Sequence, residues 1–129
     1  MNAPLQNVLV VEDNAEIRLI LKMTLEKVGG LTVRACESGA AALLALAEFQ
    51  PQLVMLDVMM PGTDGPAVLK RLRERAETAA IPVVFLTAKA SAREIQELRD
   101  LGAIDVIAKP FDPMTLNAKV KAVWAAIPE

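Results

Sequence analysis

Val54-Met55-Leu56-Asp57-Val58-Met59-Met60-Pro61-Gly62-Thr63-Asp64-Gly65 is the stretch that decides the fold. Its apolar start is short enough for a buried strand, the run ends on one carboxylate, and the Pro and Gly that follow force a loop. Asp57 therefore stands at the exposed tip of a strand. Folding gains little from a carboxylate there, so other groups should converge on the same place. Three further runs do so: Val8-Leu9-Val10-Val11 stops at Glu12-Asp13, Val83-Val84-Phe85-Leu86 at Thr87, and Ile104-Asp105-Val106-Ile107-Ala108 at Lys109-Pro110. Runs that end in acid, acid, hydroxyl and amine imply one site at one edge of one sheet.

Helical patterns lie between these runs. Ile17, Leu21, Thr24, Leu25 and Val28 recur at helical spacing, and Gly29-Gly30 ends that helix because glycine takes the left-handed conformation cheaply. Leu31 to Cys36 reads as a second strand. Ser38 caps an Ala- and Leu-rich helix running to about Phe49, with Pro51 as its stop. Asp64-Gly65-Pro66 opens a third helix that turns Val68, Leu69, Leu72 and Ala76 inward. Ile81-Pro82 opens the next strand. Ser91 and Glu94 form a capping box for a fourth helix reaching Leu101-Gly102, whose thin stripe of Ile95, Leu98 and Leu101 marks a candidate moving part. Asp112-Pro113 opens a last helix built on Leu116, Val120, Val123 and Ile127, with Trp124 beside that face. Residues 1–6 read as a loosely held lead-in.

Strands alternating with helices in this way predict an α/β fold, a doubly wound five-stranded parallel sheet with five helices on both faces. At 129 residues the chain makes one domain, with a core at about 7–127. In such sheets the ligand site lies beyond the carboxyl ends of the strands, where strand order reverses. Glu12, Asp13, Asp57, Thr87 and Lys109 all fall there.

Composition narrows the function. Hydrophobic residues make up 53% of the chain but aromatic ones only 3%, so the core is aliphatic. A net charge of -2 without a free-standing basic cluster argues against nucleic-acid binding. The longest apolar run, Ala40 to Ala47, is far short of the roughly 18 residues of a membrane span. The start does not look like a secretion signal, and the single Cys36 forms no internal disulfide, so a cytoplasmic protein is expected. Cys36 is expected to fill core space. Histidine is absent, which removes the commonest general base and metal ligand and rules out a phosphohistidine carrier. The chemistry must run on carboxylates, hydroxyls and lysine.

Two adjacent acids at one strand end and a third at another repel one another unless they are protonated or share a cation. Oxygen donors without histidine point to Mg²⁺ or Mn²⁺. A divalent ion, a lysine and a hydroxyl around one carboxylate make a cradle for a phosphoryl group, whose transfer needs mainly alignment and charge neutralisation. Asp57 would be the nucleophile, giving an acyl phosphate. Lys109 would offset charge on the phosphoryl oxygens, Thr87 would donate to one of them, and the small Ala88 leaves room for the group. A cis peptide at Lys109-Pro110 would fix the lysine.

Glu12-Asp13, Asp57 within Asp-Val-Met-Met-Pro-Gly-Thr-Asp-Gly, Leu86-Thr87-Ala88 and Lys109-Pro110-Phe111 together resemble the receiver domain of two-component response regulators. The likeness spans nearly the whole chain, in order and at matching spacing. It implies the flavodoxin-like strand order 2-1-3-4-5. It implies phosphorylation of Asp57 by a histidine kinase or histidine phosphotransfer protein, with Mg²⁺ on Glu12, Asp13, Asp57 and the Met59 carbonyl. Such a domain is a phosphoacceptor that catalyses its own phosphorylation and slow dephosphorylation, and is not otherwise an enzyme. Thr87 then follows the phosphoryl group and shifts the surface of the fourth helix, fifth strand and fifth helix.

One departure from the family pattern, and the residues at two of its variable positions, modify that expectation. Val106 stands where most receivers carry Tyr or Phe, so output should rely on the Thr87 loop and the fourth helix. Met59 and Lys89 hold the two variable positions beside the phosphoryl group. A thioether is a poor hydrogen-bond partner and an ammonium only donates, so neither suits an attacking water and slow self-hydrolysis is expected.

Rival readings are a phosphatase of the haloacid dehalogenase type, a flavodoxin-like electron carrier and a receiver that binds without being phosphorylated. The first resembles enzymes with a second acid two residues after the nucleophile, where this chain has Met59. The second needs a loop rich in Ser, Thr and Gly where Glu12-Asp13 would repel a flavin phosphate. The third conflicts with all five site positions being filled. The expectation is a stand-alone receiver, monomeric or transiently dimeric, with protein contact or onward phosphoryl transfer as its output.

Overall fold

The computed structural model describes residues 3–128. Five strands, β1 (Asn7–Val11), β2 (Thr32–Cys36), β3 (Leu53–Asp57), β4 (Val83–Thr87) and β5 (Asp105–Ala108), alternate with α1 (Ala15–Lys27), α2 (Gly39–Ala45), α3 (Gly65–Arg73), α4 (Ala92–Asp100) and α5 (Pro113–Ala125). The strands are parallel and ordered β2-β1-β3-β4-β5, as expected. The order reverses between β1 and β3, whose ends carry Glu12 and Asp57.

Alternation along the strands divides the core between the two faces. Leu9, Val11, Val54, Leu56, Val83, Phe85 and Val106 pack on one face with Val68, Leu69 and Leu72 of α3 and Leu98 of α4. Val8, Val10, Met55, Val84, Leu86 and Ile107 pack on the other with Leu21 and Leu25 of α1 and Leu116 and Val120 of α5. The strands buried on both sides read as continuous apolar runs for that reason. Cys36 is buried in the first of these clusters.

Side-chain oxygens start every helix. Asn14, Ser38, Asp64, Ser91 and Asp112 accept from the amides of Ile17, Ala41, Ala67, Glu94 and Met114. Gly65 permits the closest approach to the site. A Cβ there would lie 2.5 Å from the Asp57 carbonyl oxygen and 3.0 Å from the Phe85 ring, so α3 seats directly against the tip of β3. Gly30 takes φ 69 after α1.

Helix ends differ from expectation. Helix α2 stops at Ala45 rather than near Phe49, because the amides of Ala47 and Glu48 turn to carbonyls three residues back and the winding tightens. Helix α3 likewise stops at Arg73, leaving Ala76 exposed, while Thr78 is buried with its hydroxyl donating to the Leu72 carbonyl at 2.6 Å. Val28, Leu101 and Ile127 fall just past their helices, and the first two are exposed.

The lead-in is held, contrary to expectation, over its described residues. The Gln52 side chain accepts from the amides of Gln6 and Asn7 and donates to the Pro4 carbonyl. Trp124 Nε1 donates to the Ala3 carbonyl at 2.8 Å. Met1 and Asn2 lie outside the described residues.

Candidate functional site

A cleft of about 270 Å³ opens at the carboxyl ends of the strands. Glu12, Asp13, Asn14, Ile17, Asp57, Met59, Thr87, Ala88, Lys89 and Lys109 line it. The structure thus gathers the acids, hydroxyl and amine from four strand ends, together with Met59, Ala88 and Lys89. Val106 lies elsewhere, buried in the core beside Phe85, its partner in β4. Pro110 is exposed beyond the cleft, after a cis peptide from Lys109.

Each side chain is delivered by its backbone. Glu12 follows β1, and its amide donates to the Cys36 carbonyl, so the residue stays tied to the sheet. Asp57 ends the central strand β3 but is buried, at 3% exposed, rather than standing at an exposed tip as expected, because Glu12, fully buried, and Lys109 close over it. Lys109 leaves β5 with its amide on the Thr87 carbonyl and runs back over the sheet edge. Its Nζ lies 3.3 Å from both Glu12 carboxylate oxygens and 3.1 Å from Asp57 Oδ1. The Thr87 hydroxyl accepts from the Lys89 amide at 3.0 Å, which folds the loop after β4 back on its strand.

Electrostatics make this an acid-crowded place. Burial, reinforced by the charge of Asp57, pushes Glu12 up to about 7, with Lys109 pulling the other way. Asp57 is also raised by burial, again opposed by Lys109. Burial alone would lower the Lys109 ammonium, but Asp57 and Glu12 outweigh it and hold the group above its ordinary value. Carboxylate oxygens of Glu12, Asp13 and Asp57 lie within 4.8 Å of one another. One ammonium offsets one of these three charges. Oxygen donors with charge left over suit a hard divalent cation, so the residues present fit such an ion.

Two neighbours were not singled out from sequence. Asn14 caps α1 and donates its amide to Glu12 Oε1 at 3.4 Å, and its place between an acid pair and a helical pattern was a readable sign. Arg18 reaches back from α1 to the Glu12 and Asp13 carbonyls, at 2.9 and 3.3 Å. Nothing in the local pattern marked it.

A doubly wound sheet in the order β2-β1-β3-β4-β5 with three acids at its switch point defines the class of flavodoxin-like signalling domains built around an acidic pocket. Residues 8–121 match the response regulator receiver domain, and the chain belongs to that family. It is 40% identical over 122 residues to the phosphate regulon transcriptional regulatory protein PhoB of Escherichia coli, covering 95% of this chain and 53% of that protein. It is 36% identical to the transcriptional regulatory protein GltR of Pseudomonas aeruginosa, covering 95% of this chain and 50% of that one. The chain thus spans about half the length of these curated relatives.

Solved structures agree. The chemotaxis response regulator CheY4 of Vibrio cholerae superposes with a TM-score of 0.85 at 29% identity, over 92% of this chain and 98% of that one. A putative response regulator from Chloroflexus aurantiacus gives 0.83 at 32% identity, over 95% and 99%. Receiver domains of response regulators take phosphoryl groups from histidine kinases. No helix among the described residues is long and apolar enough to cross a membrane.

Proposed function

We infer that this receiver, a single unit over about residues 7–127, accepts a phosphoryl group on Asp57 from a histidine kinase or histidine phosphotransfer protein in the cytoplasm. The observation that carries this reading is the Asp57 carboxylate, held at the tip of the central strand 3.1 Å from Lys109 and inside the acidic cluster. Glu12, Asp13 and Asp57, with the Met59 carbonyl, would hold Mg²⁺, or Mn²⁺ in its place. When bound, the ion supplies positive charge to the phosphoryl oxygens and lifts the repulsion among the acids.

The chain's own residues do the rest. An Asp57 oxygen forms the new O–P bond as the donor's N–P bond breaks, and the imidazole nitrogen leaves with the electron pair and takes a proton. Burial strips Asp57 of water and fixes its aim. Lys109, already on Asp57, stays beside the phosphoryl oxygens. The Thr87 hydroxyl turns the hydrogen bond it donates from the Lys89 carbonyl, at 3.4 Å, to a phosphoryl oxygen, and that exchange moves the loop after β4. Leu98 is the one buried residue of α4, so that helix is lightly held and able to follow. Val106, aliphatic and packed in the core, leaves the relay to this loop and to α4.

Intact mass after incubation with acetyl phosphate, with and without Mg²⁺, tests the acceptor. A metal-dependent gain of about 80 Da, one phosphoryl group, is expected in the native chain and none in Asp57→Asn. A gain that persists in Asp57→Asn moves the acceptor elsewhere. No gain either from acetyl phosphate or from a phosphorylated phosphotransfer protein sinks the reading.

A further inference from the structure

Asp13 is the weak point of the acidic cluster. Glu12 and Asp57 are buried and packed, but Asp13 is exposed, and its side chain meets the like-charged carboxyl of Asp57, which repels it rather than fixing its aim when both are ionised. Its direction depends on the peptide planes either side of it. On one side α1 begins, with Asn14 as cap. On the other, the Glu12 amide is tied to the Cys36 carbonyl at 3.0 Å. What remains are the carbonyls of Glu12 and Asp13, successive groups in an irregular turn from strand to helix that no strand ladder satisfies. Arg18 Nη1 donates to both, at 2.9 and 3.3 Å.

We propose that Arg18 is a positioning residue for the cation site: by clipping these two carbonyls it fixes the peptide planes that aim the Glu12 and Asp13 carboxylates at the ion. This rests on the reading of the acidic cluster as a divalent-cation site. Arg18 belongs to α1, one turn past its start, and its own amide donates to the Asn14 carbonyl at 2.9 Å. The clip therefore runs from a rigid element to a loop. A guanidinium suits the task, since its fixed planar fork loses little freedom when it makes the bonds.

The charge of Arg18 gives the proposal its sharpest test. A cation touching the backbone of both acids repels an incoming divalent ion, so a mere electrostatic neighbour would weaken binding and its removal would strengthen it. A positioning residue does the opposite. Removing groups that orient metal ligands weakens metal binding by roughly ten- to a hundredfold.

Mg²⁺ titration by calorimetry, free of any phosphodonor, separates these cases on native protein, Arg18→Met, Arg18→Lys and Thr78→Val. Thr78→Val removes a buried hydrogen bond remote from the cleft and controls for lost stability. The expected result is Mg²⁺ affinity about tenfold weaker in Arg18→Met, partly restored in Arg18→Lys and unchanged in Thr78→Val. Unchanged or tighter binding by Arg18→Met overturns the proposal, as does an equal loss in Thr78→Val. Absence of Mg²⁺ binding by the native protein instead overturns the underlying cation-site reading.

Discussion

Side chains close backbone groups at both ends of the sheet, but the carboxyl end also buries carboxylates. At the amino ends of the strands, Gln52 closes the amides of Gln6 and Asn7 and the carbonyl of Pro4, Thr78 closes Leu72, Trp124 closes Ala3, and Arg73 donates to the Ile81 carbonyl at 2.8 Å. Side chains there complete the backbone's hydrogen bonding. At the carboxyl ends, Glu12 and Asp57 are buried against each other with Lys109 between them, and both carboxyls are raised. One end is knit together; the other is held under electrostatic tension that a cation or a proton relieves. Stability and chemistry are thus assigned to opposite edges of one sheet.

Lys109→Met should break this contrast most severely. The side chain is 15% exposed, and its loss leaves two buried carboxylates without a cation. Removing one partner of a buried pair costs about 3 kcal/mol, so urea unfolding of the metal-free variant at about pH 8 should show a loss of that order. The loss should shrink at about pH 5.5, where the carboxyls take up a proton instead. An equal loss at both pH values would show that Lys109 acts through packing.

The tension itself has a pH signature. Glu12 titrates near 7 in the folded metal-free protein against 4.5 as its ordinary value, so the folded state holds a proton that the unfolded chain releases. A raised acid adds stability in full below 4.5 and loses it as pH rises through about 7. Asp57 shifts in the same direction. The metal-free protein should therefore be less stable at about pH 8 than at about pH 5.5, by on the order of 2 kcal/mol, and Mg²⁺ should narrow the gap by taking the proton's place. Melting curves in chelator and in Mg²⁺ at both pH values check this, and a metal-free protein that gains stability as pH rises contradicts it.

The opposite end supplies the matching experiment. Gln52→Ala removes three hydrogen bonds that tie the lead-in to the sheet. A net loss of about 1–2 kcal/mol is expected, independent of pH between about 5.5 and 8, with phosphoryl uptake unchanged. Impaired uptake would mean that the two edges are coupled through the strands.

The sequence showed the tense end better than the knit one. Glu12, Asp57, Thr87 and Lys109 were legible because each puts a polar group at the end of an apolar strand run, although Glu12, Asp57 and Thr87 are buried there. Ser38, Asp64, Ser91 and Asp112 were legible because a cap acts within its own turn. Gln52, Trp124 and Arg18 act on backbone groups whose nearness depends on packing: Trp124 and Ala3 are 121 residues apart. The ends of α2 and α3 were overrun because tightening to bonds three residues back leaves composition unchanged.

The smallest expected effect concerns the lifetime of the phosphoryl group rather than stability. Met59 is 67% exposed at the cleft, and the backbone amide and carbonyl of Lys89 both meet the Thr87 hydroxyl there. A thioether and an ammonium leave an incoming water without an acceptor to orient its lone pair toward phosphorus. Met59→Asn together with Lys89→Glu supplies an amide and a carboxylate at the rim without touching Glu12, Asp57 or Lys109. Loss of the phosphoryl group from Asp57 should quicken by about tenfold, which corresponds to about 1.4 kcal/mol in the barrier, while the urea midpoint stays within error. The half-life after removal of acetyl phosphate measures it. An unchanged half-life would mean that the buried Asp57 itself, and not the two rim side chains, sets access of water, and that the tense edge governs its rates as it governs its charge.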